Sequence, residues 1–204
     1  VEYKPGSELP VEKLSLDKSE IKDKLAKHEP FCLDNSSLKP AAVLLPLFKK
    51  DDRWHVLLTR RSPHLPTHRN EISFPGGVLD EGEKKLEAAL RETHEEVGIK
   101  PEDVDVLDRL DEVGTMTNFC ITPFVGVIPY PYTFTVSEDE IAEIIEIALD
   151  SFTEPENYRR DDTWLFRGKT YPVYYFNIDG NVVWGATAKI LKQFIEIVLD
   201  WREP

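Results

Sequence analysis

Apolar positions recur along this chain in two rhythms, and the changes of rhythm mark out its elements. Residues 86–97, LEAALRETHEEV, contain neither Gly nor Pro, and Leu86, Leu90, Thr93 and Val97 recur at helical spacing. Gly98 follows, so the pattern predicts a helix closed by a left-handed residue. A shorter amphipathic helix is expected within residues 15–28, where Leu16, Ile21 and Leu25 sit among Asp, Lys and Glu and where Ser15 or Asp17 caps the start. A third helix runs to about Trp201, opened by Trp184-Gly185-Ala186-Thr187-Ala188, with Ile190, Leu191, Phe194, Ile197 and Val198 on its apolar side.

Elsewhere the rhythm is that of strands. Residues 41–48, interrupted by Pro46, and residues 54–59 read as paired strands joined by a turn at 49–52. Residues 104–110 alternate, residues 119–128 (FCITPFVGVI) form a strong strand, and residues 171–178 (YPVYYFNI) lead into a hairpin turn at Asp179-Gly180-Asn181. Residues 137–147 admit a helix capped at Ser137 or an edge strand with its carboxylates outward, and the strand is preferred. Loops are expected at 114–118 and, extended, at 150–169, with an irregular arm at 1–10. The fold class is therefore α/β. With 204 residues, 41% of them hydrophobic, the chain holds one packed domain over 31–204, with the arm and short helix of 1–30 packed on it.

Charge and cysteine usage narrow the function. A net charge of −13 argues against coating long nucleic acids, which rests on phosphate neutralisation by Lys and Arg. A small anionic substrate stays compatible where a metal ion and a local basic patch outweigh the global sign. No apolar run spans a bilayer and no basic-start signal pattern is present, so no membrane partner is expected. Two cysteines, Cys32 and Cys120, fit reduced thiols and an intracellular, cytoplasmic setting. Internal repeats are absent, and a homodimer stays open.

The candidate chemistry lies on the central helix. At 100° per residue Glu92, Glu95 and Glu96 share roughly one third of its circumference, nearly opposite the Leu86, Leu90, Thr93 and Val97 stripe. Such carboxylates repel one another unless a cation sits among them, and hard divalent ions take oxygen ligands of this kind. On their own they are more often a solvated face. Pro75-Gly76-Gly77 ahead of the helix makes a tight loop that brings backbone groups close to a metal or phosphate. Upstream, residues 53–70 carry Arg53, His55, Arg60, Arg61, His64, His68 and Arg69 without one Asp or Glu, which marks them for recognition of substrate phosphates.

Gly77, Glu83, Arg91, Glu92, Thr93, Glu95, Glu96, Gly98 and Ile99 stand in the pattern G-x5-E-x7-R-E-[apolar or Thr]-x-E-E-x-G-[apolar]. This stretch resembles the Nudix box at every fixed position. The resemblance implies a Nudix-type α/β/α sandwich with a central mixed sheet, a loop-helix-loop metal site, and hydrolysis of a nucleoside diphosphate linked to another group. It implies Mg²⁺ or Mn²⁺ held by Glu92, Glu95 and Glu96 with the Gly76 carbonyl, and Arg91 and Glu83 orienting those carboxylates. The proton acceptor stays open between a Glu of the box such as Glu95 and a later one such as Glu140, while the resemblance also implies an extra carboxylate near the metals from a later loop, with Glu138, Glu140 and Glu143 as candidates.

A narrower resemblance covers Leu57-Leu58-Thr59-Arg60-Arg61-Ser62, Leu65, His68, Ile72 and Phe74-Pro75-Gly76-Gly77, then Thr122 to Gly126 and the stretch from Trp184 to Ala188. These are similar to the coenzyme A pyrophosphatase subgroup, which splits CoA and its derivatives into 3′,5′-ADP and 4′-phosphopantetheine. The resemblance points to Arg60, Arg61, His68, Arg69 and Phe74 as substrate-binding residues. The chain departs from that signature at Pro66, where the subgroup has Arg, and at Asn70 and Asn118, where it has Gly. Asn tolerates positive φ and can keep such a turn. ADP-ribose, NADH or a nucleoside triphosphate are the alternative substrates. A Nudix-fold binding module without turnover and an acidic structural protein are the readings outside enzymology.

Overall fold

Residues 16–34, 37–166 and 168–204 are described by the structure, a computed structural model. The arm expected at 1–10 lies outside them. Helix α1 (Lys18–Leu25) starts at Asp17, the second of the two caps the sequence offered. The Asp17 carboxylate accepts the Glu20 amide at 2.8 Å, and the Glu20 carboxylate accepts the Asp17 amide at 2.7 Å, a reciprocal capping box.

Strands β1 (Lys39–Lys50) and β2 (Arg53–Arg61) form the expected hairpin. Its turn is Asp51-Asp52, both at positive φ (51° and 59°), the backbone whose twist suits a two-residue connection. Pro46 survives inside a central strand because of where β1 changes partners. Its first residues pair with β4 (Gly76–Val78) through Ala41 to Val43, and its last pair with β2 from Leu47 onward. Pro46 falls between the two, where the missing N–H breaks no ladder.

The short β3 (Ile72–Ser73) precedes β4, and helix α2 (Lys85–Val97) follows it. Then come β5 (Asp105–Arg109), β6 (Val113–Gly114), β7 (Phe119–Val127) and β8 (Ile141–Ala148). The main sheet has the order β3-β2-β1-β7-β5, with β4 on β1, β6 on β7 and β8 on β2. Because β1 runs parallel to β7 and antiparallel to β2, the sheet is mixed, as expected. Asn118 takes φ 71° at the turn into β7 and Asn70 takes φ 59° before β3, so both supply the positive φ for which Gly is otherwise used.

The extended loop expected at 150–169 is a correction. After two short 3₁₀ turns, Tyr158–Phe166 forms strand β9, which joins β10 (Lys169–Ile178) and β11 (Asn181–Trp184) in a second, antiparallel sheet. Its sequence, YRRDDTWLF, has no apolar alternation because most of the strand is exposed. The ladder to β10 defines it, and that is a non-local property. The Asp179-Gly180 turn and helix α3 (Gly185–Val198) follow as expected.

The period-two alternation of the strands sorts the core onto two sides. Ala42, Leu44 and Phe124 pack with Ala88 and Ala89 of α2, and Phe48 and Leu57 pack with Val97 and Ile99. On the opposite side Leu45, Leu47, Val56 and Leu58 pack with Ile21 and Leu25 of α1, with Ile190, Leu191, Phe194 and Ile195 of α3, and with Phe176 and Val183 of the small sheet. The result is an α/β/α sandwich. No helix among the described residues is long and apolar enough to cross a membrane.

Candidate active site

The site forms where β4 meets α2. Leu44 donates its amide to the Pro75 carbonyl at 3.0 Å, which holds the Phe74-Pro75-Gly76-Gly77 loop against β1. Gly76 has φ 150°, and a Cβ there would overlap the Ala42 carbonyl oxygen. A Cβ on Gly77 would lie 2.5 Å from Glu92 Oε1, so the glycine leaves the space that the Glu92 carboxylate fills. The helix ends as the sequence predicts, with Gly98 at φ 77° and its amide on the His94 carbonyl at 2.9 Å.

The orientation of α2 corrects one expectation. Its buried positions are Ala88, Ala89, Thr93, Glu96 and Val97, while Leu86 and Leu90 lie on the flank, partly buried. The packed arc is centred near Ala89 and Glu96 because small side chains let the helix approach the sheet closely. The acidic face is therefore turned partly inward. Glu96 is 4% exposed, the Glu92 side chain is half-buried, and the Glu95 side chain is 55% exposed.

One guanidinium organises the carboxylates. Arg91 Nε and Nη2 donate to the two oxygens of Glu83 at 2.8 and 3.0 Å, a bidentate pair. Its Nη1 donates to Glu92 at 2.9 Å and to Glu95 at 3.0 Å, and Nη2 also reaches the Val78 carbonyl at 3.2 Å. These bonds, that to Glu83 foremost, raise the Arg91 pKa further above its ordinary value. Hydrogen bonding from Arg91 and from the Asp80 amide holds the Glu83 carboxyl low. Arg91 thus links Glu83 to Glu92 and Glu95 through one guanidinium.

Glu96 has no such partner. Among the described residues its Oε2 accepts only the Gly76 amide, at 3.3 Å. Burial first, then the neighbouring charges of Glu92 and Glu140, push its pKa up to about 8 against the lowering pull of the Gly76 amide and Arg61. The Glu92 pKa is raised by the same burial, partly offset by Arg91. Glu140 comes near through backbone ties. Thr135 and Ser137 donate to the Val97 and Glu96 carbonyls at 3.0 and 2.9 Å, and the Ser62 amide donates to the Glu140 carbonyl at 2.7 Å. No local pattern in residues 135–137 or at Ser62 marks these anchoring amides.

The basic window divides by strand parity. Arg61 points to the α2 side, where its charge acts on Glu96, and its buried Nε has no hydrogen-bond partner among the described residues. Arg60 points to the other side and is used there, with Nε on Glu143 at 2.9 Å and Nη2 on Asn181 at 2.6 Å. His68 pairs with Glu71 at 2.8 Å, and Arg69 Nε donates to the Leu65 carbonyl at 2.6 Å, both on the exposed 62–70 loop. Phe74 departs from its expected role. At 3% exposure it belongs to the core, with no free ring face for a ligand.

Among the described residues no three acidic, His or Cys side chains converge on one point, since Glu92 and Glu95 turn to Arg91 and Glu96 to Gly76. The donor set nevertheless suits a hard divalent ion. Among the described residues Glu96 is a buried carboxyl with no ion pair, beside a backbone cleared of side chains at Gly76 and Gly77, and added positive charge favours its ionised form.

Comparison with known proteins places this geometry. The NUDIX domain family matches residues 38–172. The chain is 38% identical over 156 residues to the "Uncharacterized Nudix hydrolase NudL" of Citrobacter koseri, covering 76% of this chain and 80% of that protein. It is 37% identical, over the same shares, to the protein of that name in Enterobacter sp. strain 638. Among solved structures, a MutT/nudix family protein from Enterococcus faecalis aligns with 92% of this chain and 71% of its own, at a TM-score of 0.51 and 15% identity, a likeness of fold. Nudix hydrolases generally need divalent metal ions and act on small nucleotide substrates. With the domain matched across the main sheet, α2 and part of the small sheet, and Glu83, Glu92 and Glu95 gathered around Arg91, this chain belongs to the Nudix hydrolase family and is a pyrophosphohydrolase.

Proposed function

We propose that the chain hydrolyses the diphosphate linkage of CoA or an acyl-CoA, giving 3′,5′-ADP and 4′-phosphopantetheine, with Mg²⁺ or Mn²⁺. The observation that carries the reading is Arg61. A guanidinium whose buried Nε has no hydrogen-bond partner among the described residues, with its charge acting on Glu96, is the group here best placed to take a phosphoryl oxygen. It lies in the Leu57 to Ser62 stretch that resembles the CoA subgroup, and Asn70 and Asn118 keep the positive φ of two of its glycine positions.

In this reading Glu92, Glu95 and Glu96 hold the divalent ions, Arg91 and Glu83 fix the carboxylates, and Arg61 binds and orients the diphosphate. When bound, the ions would neutralise charge at the phosphoryl oxygens and lower the pKa of the attacking water. Glu95 or Glu140 accepts the water proton, Glu95 being the more exposed box carboxylate and Glu140 lying close enough to raise the pKa values of Glu92 and Glu96.

Pro66 favours a second reading, a different nucleoside diphosphate derivative. No guanidinium stands at 66, and the Nε of nearby Arg69 is bonded to the Leu65 carbonyl within its own loop. The test is Mg²⁺-dependent hydrolysis of CoA beside ADP-ribose and NADH, with products identified by mass. CoA cleaved to the two named products supports the first reading. Products from ADP-ribose or NADH alone move the substrate to the second, and no turnover of any of them with Mg²⁺ or Mn²⁺ removes both.

A further inference from the structure

The small sheet has a side that the reaction above leaves unused. Its inner face, through Phe176, Ile178 and Val183, belongs to the core. On the outer face register sets Arg159, Tyr175 and Trp184 side by side across β9, β10 and β11. The Arg159 guanidinium lies 4.2 Å from the Tyr175 ring centroid, and the Tyr175 and Trp184 rings are 6.3 Å apart and 11° from parallel. Trp164 extends the row, 6.5 Å from Trp184. It is 39% exposed although its indole N–H already donates to Met116 Sδ at 3.2 Å, so what Trp164 offers to solvent is ring face.

The row is tied to the strand that leads into the active-site loop. Strand β11 lies against β3, the strand that leads into the Gly76-Gly77 loop, and its first residue, Asn181, accepts from Arg60. Met116 sits between β6 and β7. Register carries the main sheet from β6 through β7 and β1 to β4 by way of Val113, Ile121, Ala41 and Val78. Three strand spacings, about 14 Å, therefore separate β6 from the strand bearing Gly76 and Gly77. An extended nucleotide is of that size.

We infer that this aromatic row seats the planar base of the nucleotide substrate, with Trp164 as its stacking surface. The inference rests on the nucleotide-hydrolase reading and adds to it a specificity residue far from the Nudix box. A single base is the fitting occupant. The chain's net charge of −13, with Asp161 and Asp162 on the same strand, opposes a polynucleotide, whereas stacking on an indole works for any base and is worth about tenfold or more in affinity.

The test is a titration of the intact protein, with Mg²⁺, by 3′,5′-ADP and by inorganic pyrophosphate, followed by calorimetry and tryptophan fluorescence. Wild type binds ADP more tightly than pyrophosphate, and ADP changes the tryptophan emission. Trp164→Ala reduces that preference about tenfold, and Trp164→Phe, which keeps a ring, recovers most of it. An unchanged preference in Trp164→Ala overturns the inference, as does a change of oligomeric state with ADP affinity intact, which makes the face an interface between copies. Wild type that binds pyrophosphate but prefers no ADP overturns the base seat alone. Wild type that binds neither overturns the nucleotide reading with it.

Discussion

A carboxyl group buried as Glu96 is, with one long amide contact for company, keeps its proton to a pH near 8. The folded pKa lies above the ordinary value of 4.5, so without divalent ions the native state binds a proton the unfolded state has released. Stability attached to this group is complete below 4.5 and is lost as pH rises toward about 8. Urea unfolding in EDTA should show that loss in the wild type, and Glu96→Gln, neutral at every pH, should lack it and be the more stable protein at pH 8. On the proposed reading the same substitution should lower kcat by orders of magnitude while the protein stays folded, because an amide would replace a ligand that must be anionic to hold a divalent ion. Near-normal turnover in Glu96→Gln would remove the metal role assigned to it.

At the scale of elements, the site depends on how closely β4 and α2 approach. Gly77→Ala puts a methyl where the Glu92 carboxylate stands, and the strand cannot retreat because its other edge is paired to β1. Turnover in Gly77→Ala should fall at least a hundredfold with the far-ultraviolet circular dichroism unchanged, and wild-type rates would show that Glu92 has another place to go. The opposite end of the same helix start is held by Glu112. Burial pushes its pKa up, but Lys85 Nζ at 2.5 Å, the Leu33 amide at 2.8 Å, the Thr122 hydroxyl at 3.0 Å and the Cys120 thiol more than offset this and hold it at about 2. Its contribution is complete above 4.5 and is lost as pH falls toward about 2. Glu112→Gln should cost about 2–3 kcal/mol at pH 7 and flatten the acid limb of stability against pH, measured by urea unfolding.

What the sequence disclosed about these elements follows from how local each signal is. Helix α2, the β1–β2 and β10–β11 turns and the positive-φ asparagines were legible because spacing, Gly98, paired Asp or Gly residues and Asn act within a few positions. The inward tilt of the acidic face was not, since large Leu side chains suggested the packed stripe while Ala88 and Ala89 set the true contact. Strand β9 was hidden because pairing with β10, and not burial, makes it a strand. The basic window was visible as a composition. That Arg61 serves the acidic site while Arg60 braces β11 depends on which side of β2 each faces, and both sides are covered by elements distant in sequence.

In the whole molecule the apolar cores on the two faces of the main sheet are separate clusters among the described residues. Helix α2 packs with Ala42, Leu44, Phe48 and Leu57, whereas α1, α3 and the small sheet share the separate cluster on the other face. Trp201 closes that second cluster. It is 9% exposed, edge-on to Tyr158 at 5.1 Å, near Phe176 at 6.4 Å, and its indole N–H donates to the Thr153 carbonyl at 3.2 Å. Glu203 beside it pairs with Lys192 at 2.9 Å and Arg160 at 3.1 Å, which ties this segment to α3 and β9. Trp201→Ala removes a large ring from a site that three elements line and that cannot collapse from one side, so it should cost about 3–5 kcal/mol in urea unfolding. Well below its melting temperature the variant should keep the wild-type kcat, because the α2 clusters and the Arg91 network share no contact with Trp201. A fall in kcat under conditions where Trp201→Ala remains fully folded would mean that packing on the α3 side sets the carboxylate geometry through the sheet, and that the two faces are coupled.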